Sequence, residues 1–237
     1  MKRKIISSQK GLEIISKNNK EIFTKAKFGP SKITRIPLCI NEKLAFFVSA
    51  IIGDGHLKKS KFQITIELTN KKLINYLSNI CKELFNRKFN VLRVKLRKGK
   101  QQSYHMCMDS KSIHNFLNSV FEIPIGKKSH IVKIPRIILN SNKKIKIAFL
   151  NGLLATEGGK RRRGFGLSTA SEHLWKDLDL IFKDIGVIIS KDSWIHKKYK
   201  KKYYGITFKE EYISLLNAGM PEWSNGRDLG SRSLVLT

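Results

Sequence analysis

Two carboxylates follow similar apolar segments and could together hold a cation. Asp54 follows FFVSAIIG, which starts at Phe46, and Glu157 follows FLNGLLAT, which starts at Phe149. Each segment predicts a helix that stops at glycine, so each carboxylate would lie at a helix C-terminus. The partial negative charge of that terminus makes a carboxylate there unfavourable by about 1 kcal/mol or more. Oxygen ligands suit Mg²⁺, or Mn²⁺, which makes the pair a candidate metal site.

Small residues predict that the two helices pack against each other. Ser49 and Gly53 are four apart, as are Gly152 and Thr156, and this spacing places each pair on one helix face. Close packing of the two faces would bring the carboxylates together, with the carbonyls of Gly53 and Thr156 as further metal ligands. Asp54→Asn should then raise thermal stability in the absence of metal. The alternative is that each segment is a buried core helix with a capping glycine.

The predicted elements occur in the same order twice. A helix, a strand pair, a helix, a strand pair and a helix follow one another in each half, which indicates an internal duplication. In the first half, KFQITIEL, VLRVKLRK and SYHMCMD predict strands, and NKKLINYLSNICKELF predicts a helix with Asn70 as N-cap. In the second half, we predict a helix over residues 145–156 and one strand in RRRGFGLST. The assigned regions are a basic arm or small appended helix in residues 1–40, the first half in 41–126, a linker in 127–144, the second half in 145–217, and a tail in 218–237.

The charge of the chain favours a polyanionic partner. Its 237 residues carry 47 Lys and Arg against 18 Asp and Glu, a formal net charge of +29. Nucleic acid fits this excess better than an acidic membrane surface does. No apolar run of about 18 residues predicts a membrane span, and no signal peptide is recognised, which favours a cytoplasmic or organellar protein. Three scattered cysteines predict reduced thiols rather than disulfides or a zinc site.

The stretches FVSAIIGDG and LNGLLATEG resemble the two signature helices of LAGLIDADG homing endonucleases. The run KIPRIILNSNKKIKIAFLNGLLATEGG resembles the approach to the second motif, and the likeness covers about residues 41–216. It is closest to two-motif, single-chain, archaeal intron-encoded members. The resemblance implies an α+β fold in which an αββαββα half is duplicated about a pseudo-two-fold axis. Two antiparallel sheets would form a DNA-binding saddle in a monomer that acts as a pseudo-dimer.

The resemblance also implies an activity and its residues. The expected enzyme is a site-specific double-strand DNA endonuclease, which hydrolyses phosphodiesters across the minor groove of a long asymmetric target. Asp54 and Glu157 would be catalytic and bind Mg²⁺ or Mn²⁺. Lys160, in EGGK, matches a lysine three residues after the second acid of the family. No first-half lysine can be assigned as its partner, and Glu67, Thr69 and Asn70 stay open for the polar residue at the end of the first strand.

Basic residues on the predicted strands and loops would contact the DNA target. Alternation in VLRVKLRKGK predicts that Arg93, Lys95 and Arg97 face DNA, while Val94 and Leu96 face the core. Phosphate contact is favoured over base readout for each basic residue. The further predicted contacts are Lys58, Arg161, Arg162, Arg163, His196, Lys197 and Lys198.

Two other functions remain open at this point. An RNA maturase on the same fold would bind its host intron RNA, and a DNA-binding regulator would use a degenerate scaffold. The intact acids favour cleavage over both. The sequence shows no N-terminal Cys or Ser and no C-terminal His-Asn pair, so we expect an intron-encoded or free-standing protein rather than an intein.

The tail from Ala218 differs from the rest of the chain. Lysine is absent after Lys209. A back-translation from Pro221 resembles the D-arm and anticodon arm of a leucine transfer RNA gene. The tail is therefore interpreted either as an ordinary flexible C-terminus or as the translation of an overlapping tRNA gene.

Overall fold

The computed structural model describes residues 12–26, 32–94, 102–198 and 200–217. The predicted C-terminal tail, 218–237, lies outside these residues. Three antiparallel sheets and several helices occupy the described part of the chain. None of the helices there combines the length and the apolar character that crossing a bilayer requires.

The described part of the N-terminal region, residues 12–26 and 32–40, forms a sheet rather than the small helix predicted as one alternative. Its strands pair in the order β1-β2-β3; they are β1 (Leu12–Lys17), β2 (Glu21–Ala26) and β3 (Thr34–Pro37). The small appended helix predicted within residues 1–40 is wrong for the described residues, because burial in β2 alternates with period two, with Ile22 and Thr24 buried. Asn18 closes the β1–β2 turn, where its side-chain oxygen accepts from the amides of Lys20 (2.8 Å) and Glu21 (2.7 Å).

The first half contains four strands and three long helices. Its sheet has the order β4-β5-β7-β6. The elements are α1 (Glu42–Ile52), β4 (Gly55–Leu57), β5 (Gln63–Leu68), α2 (Lys71–Phe85), β6 (Asn90–Arg93), β7 (Tyr104–Asp109) and α3 (Lys111–Phe121). The predicted N-cap at Asn70 is confirmed, since its side chain accepts from the amides of Lys72 and Leu73.

The second half repeats this arrangement. Its sheet order, β8-β9-β11-β10, matches that of the first half element by element. The elements are α5 (Lys143–Glu157), β8 (Gly158–Arg161), β9 (Gly164–Thr169), α6 (Glu172–Ile185), β10 (Ile189–His196), β11 (Lys201–Phe208) and α7 (Tyr212–Asn217), and α4 (Arg136–Leu139) lies in the connector before them. The predicted α+β duplication is therefore confirmed.

One predicted strand is divided. RRRGFGLST forms the end of β8, a turn and β9, because Arg162 and Arg163 lie in the turn and Gly164 has a φ of +137°. A side chain at that φ would be strained, so glycine permits the chain to reverse there.

The N-terminal sheet packs on the outer helices of the first half. Thr24 Oγ1 donates to Ser112 Oγ of α3 over 2.8 Å, and both residues are buried. Arg35 Nε donates to the carbonyl of Leu84 in α2 at 3.1 Å. This sheet therefore supports the first half from the helix side and has no counterpart in the described part of the second half.

Candidate active site

The centre of the molecule is the contact between α1 and α5. A Cβ added at Gly152 would lie 2.1 Å from Ser49 Oγ and 2.4 Å from the carbonyl oxygen of Phe46. A Cβ added at Gly53 would lie 2.3 Å from Thr156 Oγ1. Real Cβ contacts are not this short, so only glycine at these positions allows the helices to approach so closely.

The hydroxyls in this contact bond within their own helices. Ser49 Oγ donates to the carbonyl of Phe46 at 2.9 Å, and Thr156 Oγ1 lies 3.1 Å from the carbonyl of Gly152. Both hydroxyls are buried but satisfied, so the helix pair avoids the cost of unpaired polar groups. The four predicted interface residues therefore meet in one contact.

The two carboxylates lie at one end of this helix pair. Asp54 follows the end of α1, and Glu157 is the last residue of α5. A Cβ on Gly53 would lie 3.1 Å from Glu157 Cγ, which shows how near the second acid is to the end of the first helix. Both acids line one open cavity of about 700 Å³, together with Lys128, His130 and Tyr203.

Lys128 is the residue of this cavity that the sequence did not reveal. Its Nζ donates to the carbonyl oxygens of Ile52 and Gly53, the latter at 2.5 Å. Burial lowers the pKa of Lys128 to about 8, while attraction by Glu157 and Asp54 opposes the shift. From the sequence, the negative charge at the C-terminal end of α1 was expected to lack a nearby positive charge. The Lys128 ammonium supplies that charge.

The connection after the first half places Lys128 at the cavity. Ile125 forms an isolated parallel bridge with Leu57 of β4, and the Gly126 amide donates to the Leu57 carbonyl at 2.8 Å. Gly126 has a φ of +82°, a conformation that favours glycine. The chain thus runs beside β4 and then reaches the end of α1. No local pattern signals this path, which is why the first-half lysine could not be assigned from sequence.

Lys160 lies elsewhere. Lys160 is on the exposed edge strand β8, where it pairs with Phe165 of β9, a core residue. Paired residues in an antiparallel ladder point to the same face, so Lys160 is on the helix side of its sheet. Within the described residues, the lysines that line the cavity are Lys127, Lys128 and Lys201. The active-site role of Lys160 stays a prediction.

Glu67, Thr69 and Asn70 are the candidates for the polar residue expected at the end of the first strand, and hydrogen bonds narrow this choice. The Asn70 side chain caps α2, with its oxygen accepting at 2.9 and 3.1 Å. Glu67 Oε1 accepts from Ser103 Oγ at 2.9 Å on the exposed face of the sheet. The Asn70 side chain therefore has a structural role as a helix cap, which leaves Glu67 and Thr69 as candidates.

We call the side of each sheet opposite its helices the saddle face. In the first half it carries His56, Lys58, Gln63, Thr65, Glu67, Asn90, Leu92, Val94, Ser103, His105, Cys107 and Asp109. In the second half it carries Arg161, Ser168, Ser190, Asp192, Trp194, His196, Lys201, Tyr203 and Thr207.

The predicted alternation in β6 is wrong by one residue. Arg93 pairs with Tyr104, and Tyr104 pairs with the buried Leu68, so Arg93 lies on the helix side. Val94, predicted to face the core, lies on the saddle face, where its amide donates to the Ser103 carbonyl at 3.0 Å. The residues of β7 that are buried in the core determine which residues of β6 face the helices and which lie on the saddle face. Lys95, Leu96 and Arg97 lie outside the described residues.

Arg161 lies across the second saddle face over two glycines. A Cβ added at Gly166 would lie 3.0 Å from Arg161 Cδ, and a Cβ added at Gly205 would lie 2.9 Å from Arg161 Nη1. The guanidinium donates to the Leu167 carbonyl at 2.7 Å and to Ser168 Oγ. Burial lowers the pKa of Arg161, and an ion pair with Asp192 opposes the shift.

The other predicted basic contacts lie around the saddle. Arg162 and Arg163 are exposed in the β8–β9 turn, and His196 is on the second saddle face. Lys197 and Lys198 are exposed in the β10–β11 turn. Lys58 follows β4, where its amide donates to the carbonyl of Gln63 at 2.9 Å.

The donor set at the cavity fits a hard divalent cation. Across the described part of the chain, no group of three or more His, Cys, Asp and Glu residues is arranged to hold a metal. The cavity instead offers two carboxylates with open space beside them. Few protein oxygens and several retained waters are typical of Mg²⁺ sites. The Gly53 carbonyl, predicted as a further ligand, already accepts from Lys128.

No protein-family model matches the chain. It is 30% identical over 166 residues to the replication factor C small subunit of Methanocaldococcus jannaschii, and 28% identical over 184 residues to the probable translation initiation factor IF-2 of that organism. It is 26% identical over 158 residues to one of the subunits of the A-type ATP synthase of Pyrococcus abyssi. The matches cover 70%, 74% and 66% of this chain but only 9%, 15% and 15% of those proteins.

Solved structures of the homing endonuclease I-DmoI are similar to this chain along most of its length. The complex of I-DmoI with DNA and Ca aligns with a TM-score of 0.55 and 18% identity, covering 77% of this chain and 95% of I-DmoI. A structure of mesophilic I-DmoI variants aligns with a TM-score of 0.52 and 19% identity, covering 75% and 93%. The chain therefore has the homing endonuclease fold, with two pseudo-symmetric halves joined by a central helix pair.

Proposed function

We propose that the protein is a site-specific double-strand DNA endonuclease that uses Mg²⁺ or Mn²⁺ to hydrolyse phosphodiester bonds. The observation that carries this proposal is that Asp54 and Glu157, at the ends of α1 and α5, line one cavity at the junction of two equivalent halves. One acid from each half is the arrangement required to act on each strand of a duplex related by a pseudo-two-fold axis. The net charge of +29 suits the phosphate backbone.

Asp54 and Glu157 would hold the metal ion. When bound, a divalent metal ion polarises the scissile phosphate and makes a water molecule more acidic. Lys128 holds its ammonium beside the same acids through the carbonyls at the end of α1. From there it can stabilise the negative charge that develops on the phosphate during hydrolysis. We therefore add Lys128 to the catalytic group proposed for this cavity.

The two saddle faces would bind the two halves of one target. The eight-residue strands β10 and β11 are the longest of the two sheets. At about 3.3 Å per residue each spans about 26 Å, so two sheets end to end would follow roughly 15–20 base pairs. The faces carry different side chains, so the two half-sites would differ in sequence. A single chain with two halves would act as a monomer. Arg161 and the lysines of the β10–β11 turn are the basic contacts that the second half would use.

The curated relatives support a transferable module. A replication factor, a translation factor and a component of an ATP synthase have different roles, yet each contains a segment similar to this chain. A segment that is 9–15% of each protein does not account for those roles. Occurrence in unrelated hosts is what a homing element would produce. This chain would be such an element in an intron-encoded or free-standing form.

A plasmid library with randomised sites of about 20 base pairs tests the proposal, the length being that covered by the two sheets. With Mg²⁺, the wild-type protein should linearise a small subset of plasmids, and chelation should prevent this. The Asp54→Asn and Glu157→Gln proteins should bind the selected site in Ca²⁺ without cutting it. If no plasmid is cleaved while the protein binds intron RNA tightly, the maturase alternative replaces the endonuclease. The first candidate target is the genomic sequence on the two sides of the open reading frame, joined as it would be in an allele that lacks the insertion.

A further inference from the structure

An aromatic pair on the second saddle face, the exposed Trp194 and the half-buried Tyr203, has no evident role in folding. The rings of Trp194 and Tyr203 lie 6.1 Å apart with an interplanar angle of 19°, and His196 lies 5.9 Å from Tyr203. Trp194 retains 38% of its surface exposed. In the same half, the Trp175 ring packs on Tyr204, and its Nε1 donates to the Gly205 carbonyl at 3.0 Å. Trp175 shows how a structural tryptophan is accommodated here, and Trp194 differs from it.

The strand register keeps this pair away from the core. Trp194 pairs directly with Tyr203, while the next residues, Ile195 and Tyr204, point to the helix side. The same ladder positions in the first half hold Val94 and Ser103, which are linked by a backbone hydrogen bond of 3.0 Å. The sheet therefore does not require aromatic residues at this position.

The surroundings of the aromatic pair attract phosphate. Lys197, Lys198 and Lys200 are exposed in the adjoining β10–β11 turn. Lys201 Nζ lies 3.3 Å from His130 Nε2, and both Lys201 and Tyr203 line the cavity that contains the two acids. A basic surface thus runs from that cavity, past the aromatic pair, to the turn.

Aromatic platforms beside lysines are typical of sites for unpaired nucleotides. In a duplex the base faces are covered by their neighbours, so an exposed ring can stack only on a base that has left the stack. We propose that Trp194 and Tyr203 bind an unpaired base of a nucleic-acid strand that leaves the cavity along β10 and β11. This inference deepens the proposed function and rests on its nucleic-acid binding, but does not require cleavage.

The test compares single-stranded and double-stranded probes. Labelled dT and rU oligonucleotides of about 12 nucleotides, a length within the usual range of single-strand sites, are titrated against the full chain beside a duplex. Fluorescence anisotropy gives affinity, and quenching of tryptophan emission reports stacking. Trp194→Ala should weaken binding of the preferred oligonucleotide by about 10-fold to 100-fold and should weaken duplex binding much less. Trp194→Phe should retain most of the single-strand affinity.

Ile195→Ala is the matched control, because Ile195 is 66% exposed on the opposite face of the same strand. It should leave oligonucleotide binding unchanged, and thermal melting should show that all variants fold. Preference for dT would identify a DNA strand as the source, and preference for rU an RNA strand; either supports the platform. The inference is overturned if Trp194→Ala binds both oligonucleotides as the wild type does, or if duplex affinity falls by the same factor. Plasmid cleavage is measured separately. If the protein proves not to be an endonuclease, the oligonucleotide titrations would still show whether Trp194 binds an unpaired base.

Discussion

The two halves of this molecule share a scaffold but present different surfaces. Their sheets have the same strand order, and a helix with a terminal acid precedes each sheet. At matched ladder positions, however, Lys58 corresponds to Arg161, and the Val94–Ser103 pair corresponds to Trp194–Tyr203. In the central strands the core-facing positions keep their apolar character, with Ile64 and Ile66 matched by Phe165 and Leu167, while saddle positions diverge. The difference teaches that packing maintains the duplication, while the two saddle faces are free to diverge, as binding to the proposed asymmetric target would require.

The support of the two halves also differs. The first half is braced by the N-terminal sheet, and the segment that follows its last helix delivers Lys128 to the cavity. In the second half, the corresponding segment lies outside the described residues, and its sequence, 218–237, contains no lysine. The cavity thus receives its acids from both halves but the half-buried Lys128 from one side.

The largest expected effect tests the feature that the halves share. Asp54→Asn and Glu157→Gln should each slow DNA cleavage by about 1000-fold or more, because each removes a carboxylate proposed to bind the metal, a loss of about 4 kcal/mol of transition-state stabilisation. Cleavage rates with Mg²⁺ on the selected plasmid measure this, with Ca²⁺ binding as the control. Cleavage at the wild-type rate by either variant would remove that half from the catalytic site.

Thermal melting of the same Asp54→Asn protein sharpens the comparison. The sequence predicted higher stability without metal, from relief of repulsion at the helix ends. Since Lys128 lies beside the two acids, we now expect a lower melting temperature, because the partly buried ammonium loses a counter-charge. An increase would mean that Lys128 does not compensate the pair.

The third prediction concerns the lysines. Lys128→Met should slow cleavage by about 100-fold, because a positive charge near the reacting phosphate is lost. Lys160→Met should slow it less, since Lys160 is on the helix side of β8. Single-turnover cleavage and Ca²⁺-dependent DNA binding separate chemistry from affinity. A larger effect of Lys160→Met would restore the lysine assigned from sequence.

The fourth prediction tests the joint between the halves. Gly152→Ala should destabilise the protein by about 1–3 kcal/mol, because the new methyl group would overlap Ser49 and separate the helices. Gly53→Ala should have a similar cost if both helices contribute equally. Gly159→Ala is the matched control, as its Cβ would meet nothing within 4 Å. Equal melting temperatures for all three variants would show that the helices are not in close contact.

The smallest effect tests the brace of the first half. Thr24→Val should cost about 1–2 kcal/mol, because it leaves the buried Ser112 hydroxyl without its partner. The double variant Thr24→Val with Ser112→Ala should be closer to the wild type, since both polar groups are removed. Urea unfolding of the single and double variants measures the coupling. Strictly additive losses would indicate that the N-terminal sheet is not docked through this bond.

The sequence by itself determined the central helices, their acids and the duplicated order of elements. These features have local signals: small residues at spacing four, glycine after an apolar run, and Asn70 immediately before a helical stripe. Each signal acts within a few residues, so no tertiary contact is needed to predict it. The resemblance of the two motifs to a known family then extended the local pattern to a whole fold.

Only the tertiary structure decided the position of Lys128, the phase of β6 and the fold of the N-terminus. Lys128 reaches the acids because the chain pairs with Leu57 and turns at Gly126, a contact across many residues of sequence. The phase of β6 depends on which residues of β7 enter the core, since register is fixed by burial rather than by the strand itself. The N-terminal strands are stabilised by pairing and by packing on distant helices, and such long-range contacts leave little trace in a short stretch of sequence.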